Sequence, residues 1–297
     1  MQTFDIFEDI AKRTDGEIYL GVVGPVRTGK STFIKRFMDL LVLPRITDPY
    51  DRERSRDELP QSGAGRQIQT TEPKFVPSEA VTIALDEATA ASVRLVDCVG
   101  YTVEGAIGYL LDEGPRMVVT PWFDEPIPFQ RAAEIGTQKV IEDHSTIGIV
   151  VTTDGSITEI PRRAYVDAER RVIDELKAIG KPFVVVLNST RPEGSVCREL
   201  AEQLSETYGT PVVPLDCMNM SEEEAIGLFK SVLYEFPVRE VNIRIPRWIA
   251  ELSEDHQLKQ SYRAAIEDVV DRIHIVRDVS SAAAAFGGAA HGVFPCG

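Results

Sequence analysis

The sequence predicts an α/β protein: a mostly parallel sheet with helices on both faces, followed by the start of a helical module. Three observations carry that reading. Wholly apolar runs such as FVVVL at 183–187 have strand length and lack polar alternation, as strands covered on both faces do. Amphipathic stretches at helical spacing alternate with such runs along most of the chain. A glycine-bearing octapeptide, GPVRTGKS at 24–31, joins the first such strand to the helix after it.

Taken in order, Phe4, Phe7, Ile10 and Ala11 share one helical face and predict a short opening helix. IYLGVV at 18–23 reads as a buried strand. A helix follows over 30–43, with Phe33, Phe37, Leu40 and Leu41 at helical spacing and Pro44 closing it. The polar stretch 45–77 is too long for an idle connection. VTIAL at 81–85 and SVRLV at 92–96 predict a hairpin, and 98–128, broken by Gly and Pro, reads as irregular. Helix 129–143, strand 146–152, helix 162–179, strand 183–188, strand 211–215 and helix 222–236 come next, with nothing assigned between 188 and 211. Ala168, Val172, Leu176 and Ile179 form the buried stripe of the 162–179 helix, and Ser221 with Glu224 forms a capping box for the last. Beyond 240 the pattern changes. Pro246 precedes a helical stretch bearing Trp248, Ile249 and Leu252, and a charged helix over 258–278 carries Ile266, Val269, Val270 and Ile273. The expected domains are therefore 1–240, the start of a helical module at 241–279, and a low-complexity, disordered or aberrant tail at 280–297.

Charge narrows the function. With 32 Lys and Arg against 47 Asp and Glu, the 297-residue chain carries a formal −15, which repels phosphate backbones, so no nucleic-acid partner is expected. The acids within MQTFDIFEDIAKR argue against a secretory signal, and no window approaches the roughly 18 apolar residues of a membrane span. Cysteines at 98, 197, 217 and 296 and histidines at 144, 256, 274 and 291 show no metal-ligand spacing; with no disulfide framework either, the cysteines fit a reducing cytosol.

Gly24-Pro25-Val26-Arg27-Thr28-Gly29-Lys30-Ser31 matches G-x-x-x-x-G-K-[ST] in its required setting, strand before and helix after. This is the phosphate-binding loop of the P-loop NTPase fold. Glycines let successive amides point at phosphate oxygens, and the helix start adds its positive end. Lys30 would meet the β- and γ-phosphates and Ser31 a Mg²⁺ ion, with Thr32 beside it in the first turn. Asp97-Cys98-Val99-Gly100 ends the 92–96 strand as D-x-x-G. That pattern puts a carboxylate near Mg²⁺ and the Gly100 amide on the γ-phosphate. Thr70 and Thr71, in QTTEPKF, are two candidates for the hydroxyl that completes the metal shell, and the spacing does not choose between them.

Two departures bear on specificity. Guanine-selective members of the fold carry N-K-x-D after the strand that holds 183–187, whereas this chain reads Asn188-Ser189-Thr190-Arg191. A cation stands where guanine needs an acceptor, so ATP is the expected nucleotide. Tyr101 stands where fast switches place a water-orienting Gln, which predicts slow or assembly-dependent hydrolysis. Arg27 and Arg66 are candidate charge stabilisers in cis or in trans, and Trp122 is either a docking residue or a loop anchor. The rival readings are a GTP-dependent switch of the same fold and a scaffold that binds nucleotide without turnover.

On these residues, and on IYLGVVGPVRTGKSTFIKRFM, DELPQSGAGRQIQTTEPKFVP, VRLVDCVGYTVEGA, GPRMVVTPWFDEPIPF, AAEIGTQKVIEDHSTIGIVVTTDGS and LYEFPV, the chain resembles the stage IV sporulation protein A family of spore-coat ATPases over about residues 4–279. The resemblance implies a GTPase-like P-loop domain that uses ATP, with Lys30 as the loop lysine, Asp97 on the Mg²⁺ side and Thr70 and Thr71 as sensor threonines. It also implies self-association into a polymer around the forespore on the mother-cell, cytoplasmic side, recruitment of spore coat proteins, and, in longer members, contact with a small amphipathic membrane peptide at the forespore surface.

Overall fold

A computed structural model describes residues 17–60, 74–84, 90–111, 114–279 and 281–282. The expected opening helix and most of the tail lie outside the described residues. The chain divides into two compact units, Met1–Val232 and Leu233–Gly297.

The first unit is built on a six-stranded sheet, formed among the described residues by β1 (Glu17–Val23), β2 (Lys74–Ala84), β3 (Ala90–Asp97), β8 (Ile147–Thr153), β9 (Phe183–Asn188) and β10 (Val212–Leu215) in the order β10-β9-β8-β1-β3-β2. All neighbours pair in parallel except the β2–β3 hairpin. Every residue of β8 and β9 is buried, as expected of strands covered on both faces. The α/β architecture is thus the predicted one.

Local departures have identifiable causes. The helix expected over 30–43 is α1 (Lys30–Phe37), continued by a π-turn over Met38–Val42 and a 3-10 turn over Leu43–Arg45. Leu41, Val42 and Leu43 are all buried, which one face of a straight α-helix cannot achieve, and Pro44 removes a donor at the same place. Within the polar stretch lies α2 (Pro49–Asp57), which buries only Ser55 and so has no apolar stripe to betray it. Its signal is the cap: Asp48 accepts from Tyr50 N at 2.8 Å and Asp51 N at 3.1 Å, with Pro49 in the first turn. The segment expected to be irregular holds two ribbons, β4 (Leu110–Leu111) with β5 (Gly114–Pro115), and β6 (Met117–Thr120) with β7 (Phe123–Pro128). Trp122 is half-buried there, with the Lys139 ammonium 5.9 Å from its ring centre.

Helix α3 (Phe129–Glu142) follows, its last turn capped by Lys181, whose ammonium donates to Ser145 O at 2.6 Å, to Glu142 O at 3.2 Å and to Ile141 O. The expected 162–179 helix opens as a 3-10 turn (Arg162–Ala164) before α4 (Val166–Ala178), and Ile179 lies past its end, exposed rather than in the stripe. The unassigned stretch after β9 contains α5 (Ser195–Tyr208), which buries Cys197, Ala201, Leu204 and Tyr208. Helix α6 (Glu222–Tyr234) starts with the expected reciprocal box, Ser221 N to Glu224 Oε2 at 2.8 Å and Glu224 N to Ser221 Oγ at 3.2 Å.

One buried carboxylate ties three of these elements together. Glu169 on α4 is fully buried and accepts from Arg162 at 2.5 and 2.8 Å, from Tyr208 Oη at 2.6 Å and from Thr152 Oγ1. A buried charge matched on both oxygens in this way fixes geometry, and losing one partner would strand it.

The second unit contains α7 (Arg247–Ala250) and α8 (Gln257–Val270). The helix expected to reach 278 ends at Val270, because Asp278 Oδ2 takes the His274 and Ile275 amides at 3.0 Å each and starts a new turn. Ile266, Val269 and Val270 lie on α8 and Ile273 past its end, and all four are only half-buried.

Candidate functional site

The octapeptide at 24–31 runs from the end of β1 into α1, and its shape is set by glycines that admit no side chain. Gly24 has φ +136°, and a Cβ there would stand 2.3 Å from Val151 O. Gly29 has φ +94°, and its Cβ would stand 2.2 Å from Asn188 Nδ2. The loop is therefore pressed against the ends of β8 and β9. Arg27 has φ +63° and is half-buried, at the loop's outer bend.

Inside the loop, polar groups hold the curl. Thr28 Oγ1 donates to Pro25 O at 3.0 Å, and Lys30 Nζ donates to Pro25 O at 2.6 Å and Gly24 O at 3.2 Å. Lys30 is buried, and desolvation pulls its pKa below the usual lysine value even though Cys98 and Asp97 act the other way. Val26 N donates to Tyr101 O at 2.8 Å, which binds the loop to the segment after β3. Asp97 stands opposite Val22 and Tyr101 opposite Pro25, so three steps on the β1 side are matched by four on the β3 side. Thr32 is half-buried in the first turn of α1.

Asp97 is almost wholly buried, and desolvation raises its pKa to about 6, against the opposing pull of Lys30 and the Ser31 hydrogen bond. Ser31 Oγ donates to Asp97 Oδ2 at 3.3 Å, while Oδ1 has no hydrogen-bond partner among the described residues. An orphaned buried carboxylate oxygen beside a hydroxyl fits Mg²⁺, which takes one or two protein oxygens and fills the rest of its octahedron with water and phosphate. Gly100, at φ +91°, lies so close that a Cβ would fall 2.2 Å from Gly24 O and 2.5 Å from Lys30 Nζ. Its amide donates to Thr137 Oγ1 on α3 at 3.1 Å.

Asn188 fastens the loop. Its Nδ2 donates to Thr28 O at 3.0 Å and its Oδ1 accepts from Cys217 N at 3.2 Å. Beyond it, Ser189 Oγ donates to Asp154 Oδ2 at 2.6 Å, and Thr190 and Arg191 are exposed. Tyr101 is turned into the core: its hydroxyl donates to Glu175 Oε2, and the Arg171 guanidinium lies 4.2 Å from its ring centre. Burial, reinforced by the Glu175 carboxylate, pushes its pKa upward.

The structure thus gathers Gly24, Pro25, Val26, Arg27, Thr28, Gly29, Lys30, Ser31, Thr32, Asp97, Gly100 and Asn188 around one turn. Thr70, Thr71 and Arg66 lie outside the described residues. Sequence reasoning missed Thr137 and the Glu175–Arg171 pair. The signal for Thr137 was a lone hydroxyl among the apolar residues of α3, at positions Ala133, Thr137, Val140 and Ile141.

The chain matches the family model of the stage IV sporulation protein A ATPase domain over residues 1–237 and that of its middle domain over residues 238–291. It is 55% identical to stage IV sporulation protein A of Bacillus anthracis over 279 residues, covering 94% of this chain and 57% of that one. The protein of the same name from Bacillus subtilis (strain 168) is 54% identical over 279 residues, with the same coverage of 94% and 57%. That of Clostridioides difficile (strain 630) is 50% identical over 275 residues, covering 93% and 56%. The chain therefore spans a little over half the length of these relatives. Among solved structures, translation elongation factor SelB from Methanococcus maripaludis, in complex with a GTP analogue, is 12% identical with a TM-score of 0.42, over 75% of this chain and 35% of that one. That likeness is too slight to carry an argument.

Proposed function

This chain belongs to the stage IV sporulation protein A family, and we propose that it binds and hydrolyses ATP, with Mg²⁺, to drive assembly of a spore-coat layer. The observation that carries the reading is the pair of buried charges, Lys30 and Asp97, beside the half-buried Ser31 hydroxyl behind a glycine-shaped loop, with one Asp97 oxygen left unmatched.

The roles proposed are these. The Gly24–Ser31 amides and the α1 start hold phosphate oxygens, and Lys30 supplies the compact cation. Ser31 and Asp97, with Thr70 or Thr71, hold the metal, which when bound neutralises charge developing on the transferred phosphoryl group. Gly100 donates its amide to the γ-phosphate, and Asn188 keeps the loop in shape. Catalysis is then electrostatic positioning, and the free-energy drop changes the assembly-competent form. ATP rather than GTP is favoured because Arg191 stands where the guanine-selective motif has the carboxylate that accepts from the base. The domains proposed are residues 1–240 for this chemistry, 241–279 for the start of a helical module and 280–297 for a tail. Self-association, spore coat proteins and, in longer relatives, an amphipathic membrane peptide are the proposed partners, with no nucleic acid. The proposed location is the mother-cell cytoplasm at the forespore surface; no helix among the described residues is long and apolar enough to cross a membrane.

Phosphate release by the purified chain with Mg²⁺ and ATP tests this. Lys30→Ala should lower the rate by about a hundredfold or more, with an unchanged circular-dichroism spectrum; hydrolysis at the parental rate would contradict the assignment. The anchoring of Tyr101 away from the loop favours a second reading, a nucleotide-binding scaffold without turnover. Equal sedimentation with ATP and with a non-hydrolysable analogue would favour the scaffold.

A further inference from the structure

The bond between Gly100 and Thr137 has no part in the chemistry above. Thr137 is wholly buried in the middle of α3, and its hydroxyl is engaged in both directions: Oγ1 donates to Ala133 O at 2.8 Å and accepts from Gly100 N at 3.1 Å. With its only proton given to Ala133 O, the oxygen is fixed as an acceptor and faces the Gly100 amide. Gly100 itself is packed so tightly that a Cβ on it would meet Gly24 O and the Lys30 ammonium, the cation proposed to hold the last phosphate. One amide hydrogen serves one acceptor well.

We infer that Thr137 is a positioning residue that competes with the terminal phosphate of a nucleoside triphosphate for the Gly100 amide. This rests on the reading of Lys30 and Gly100 as γ-phosphate groups. A triphosphate takes the hydrogen and frees Gly100 from α3, whereas a diphosphate has no oxygen there and leaves the bond to Thr137 intact. Thr137 thereby sets how strongly the site prefers ATP over ADP, and α3 is the element that registers which is bound. A buried amide is costly to leave unmatched, so the exchange goes from one acceptor to the other.

The test compares ATP-analogue and ADP affinities by calorimetry in the full chain. Thr137→Val keeps the shape and removes the competing oxygen, so the preference for the triphosphate analogue should rise roughly two- to tenfold, about the worth of one hydrogen bond, with ADP affinity unchanged. Thr137→Ser restores the acceptor and should return the ratio to the parental value. Independently, the Gly100 amide resonance of the unmutated protein should move with the triphosphate analogue and stay in place with ADP. A Thr137→Val ratio at or below the parental one overturns the inference, as does a Gly100 resonance that responds equally to both. If the parent binds neither nucleotide, the reading of the site itself falls. If it binds both and only the ratio fails to move, the role of Thr137 falls alone.

Discussion

The ends of β3 and β9 both press on the Gly24–Ser31 turn, but they bring different things to it. At the end of β3, Asp97 keeps one buried oxygen unmatched and carries a pKa raised to about 6. At the end of β9, Asn188 has its amide nitrogen bonded to Thr28 O and its oxygen to Cys217 N, and Ser189 just beyond is spent on Asp154. Folding alone would not favour the first arrangement, since an ionised carboxylate without full matching costs stability. The second is what folding favours. On the proposed reading, the difference separates a group kept for a ligand from a group that frames the place where the ligand goes.

The largest expected effect falls on Asp97. Asp97→Asn should lower ATP hydrolysis by about a hundredfold or more and yet stabilise the metal-free protein at pH 7. The folded-state pKa of about 6 lies above the ordinary 3.8. Between those values the folded state holds a proton that the unfolded state has lost, so stability falls as pH rises through this window and is level above it. The cost by pH 7 is on the order of 3 kcal/mol. Urea unfolding in magnesium-free buffer at several pH values should show that slope in the parent and a flatter profile in Asp97→Asn. An equally steep variant would remove the contrast.

Asn188→Ala should do the reverse. It strands the buried Thr28 carbonyl and Cys217 amide, so stability should drop by about 2–4 kcal/mol at every pH. ATP and ADP binding should weaken together, because both use the loop. Weakening confined to one nucleotide would give Asn188 a ligand role and blur the distinction. The smallest effect belongs to Arg191, which is exposed. Arg191→Ala should change stability by less than about 0.5 kcal/mol and leave ATP binding nearly as it was. A tenfold loss in calorimetry would bring charge to the β9 end after all.

The legible parts of this molecule were those with a fixed spacing. The glycines, Lys30 and Ser31 of the loop, the Asp97–Gly100 tetrapeptide and the unbroken apolar runs of β8 and β9 each express one physical requirement in consecutive letters. What escaped depends on partners far along the chain. Helix α2 has a cap but no stripe, and α5 carries its stripe on a cysteine, an alanine, a leucine and a tyrosine, a face too mixed to stand out. Thr137 looks like a helix-interior threonine until Gly100 is brought to it from 37 residues away. Asn188 could be placed at the site by its position after β9, but its two bonds come from Thr28 and Cys217, which no local pattern links to it.

The one-residue mismatch between Val22–Pro25 and Asp97–Tyr101 makes chain length here a different variable from chain composition. Gly100, at φ +91°, takes the chain off the extended path, and the extra residue lets Tyr101 pair with Pro25 while its ring faces Arg171 and Glu175. Shortening 98–100 by one would remove that slack, so Tyr101 could no longer both pair with Pro25 and reach Glu175, a change in reach that no single substitution between Asp97 and Tyr101 reproduces.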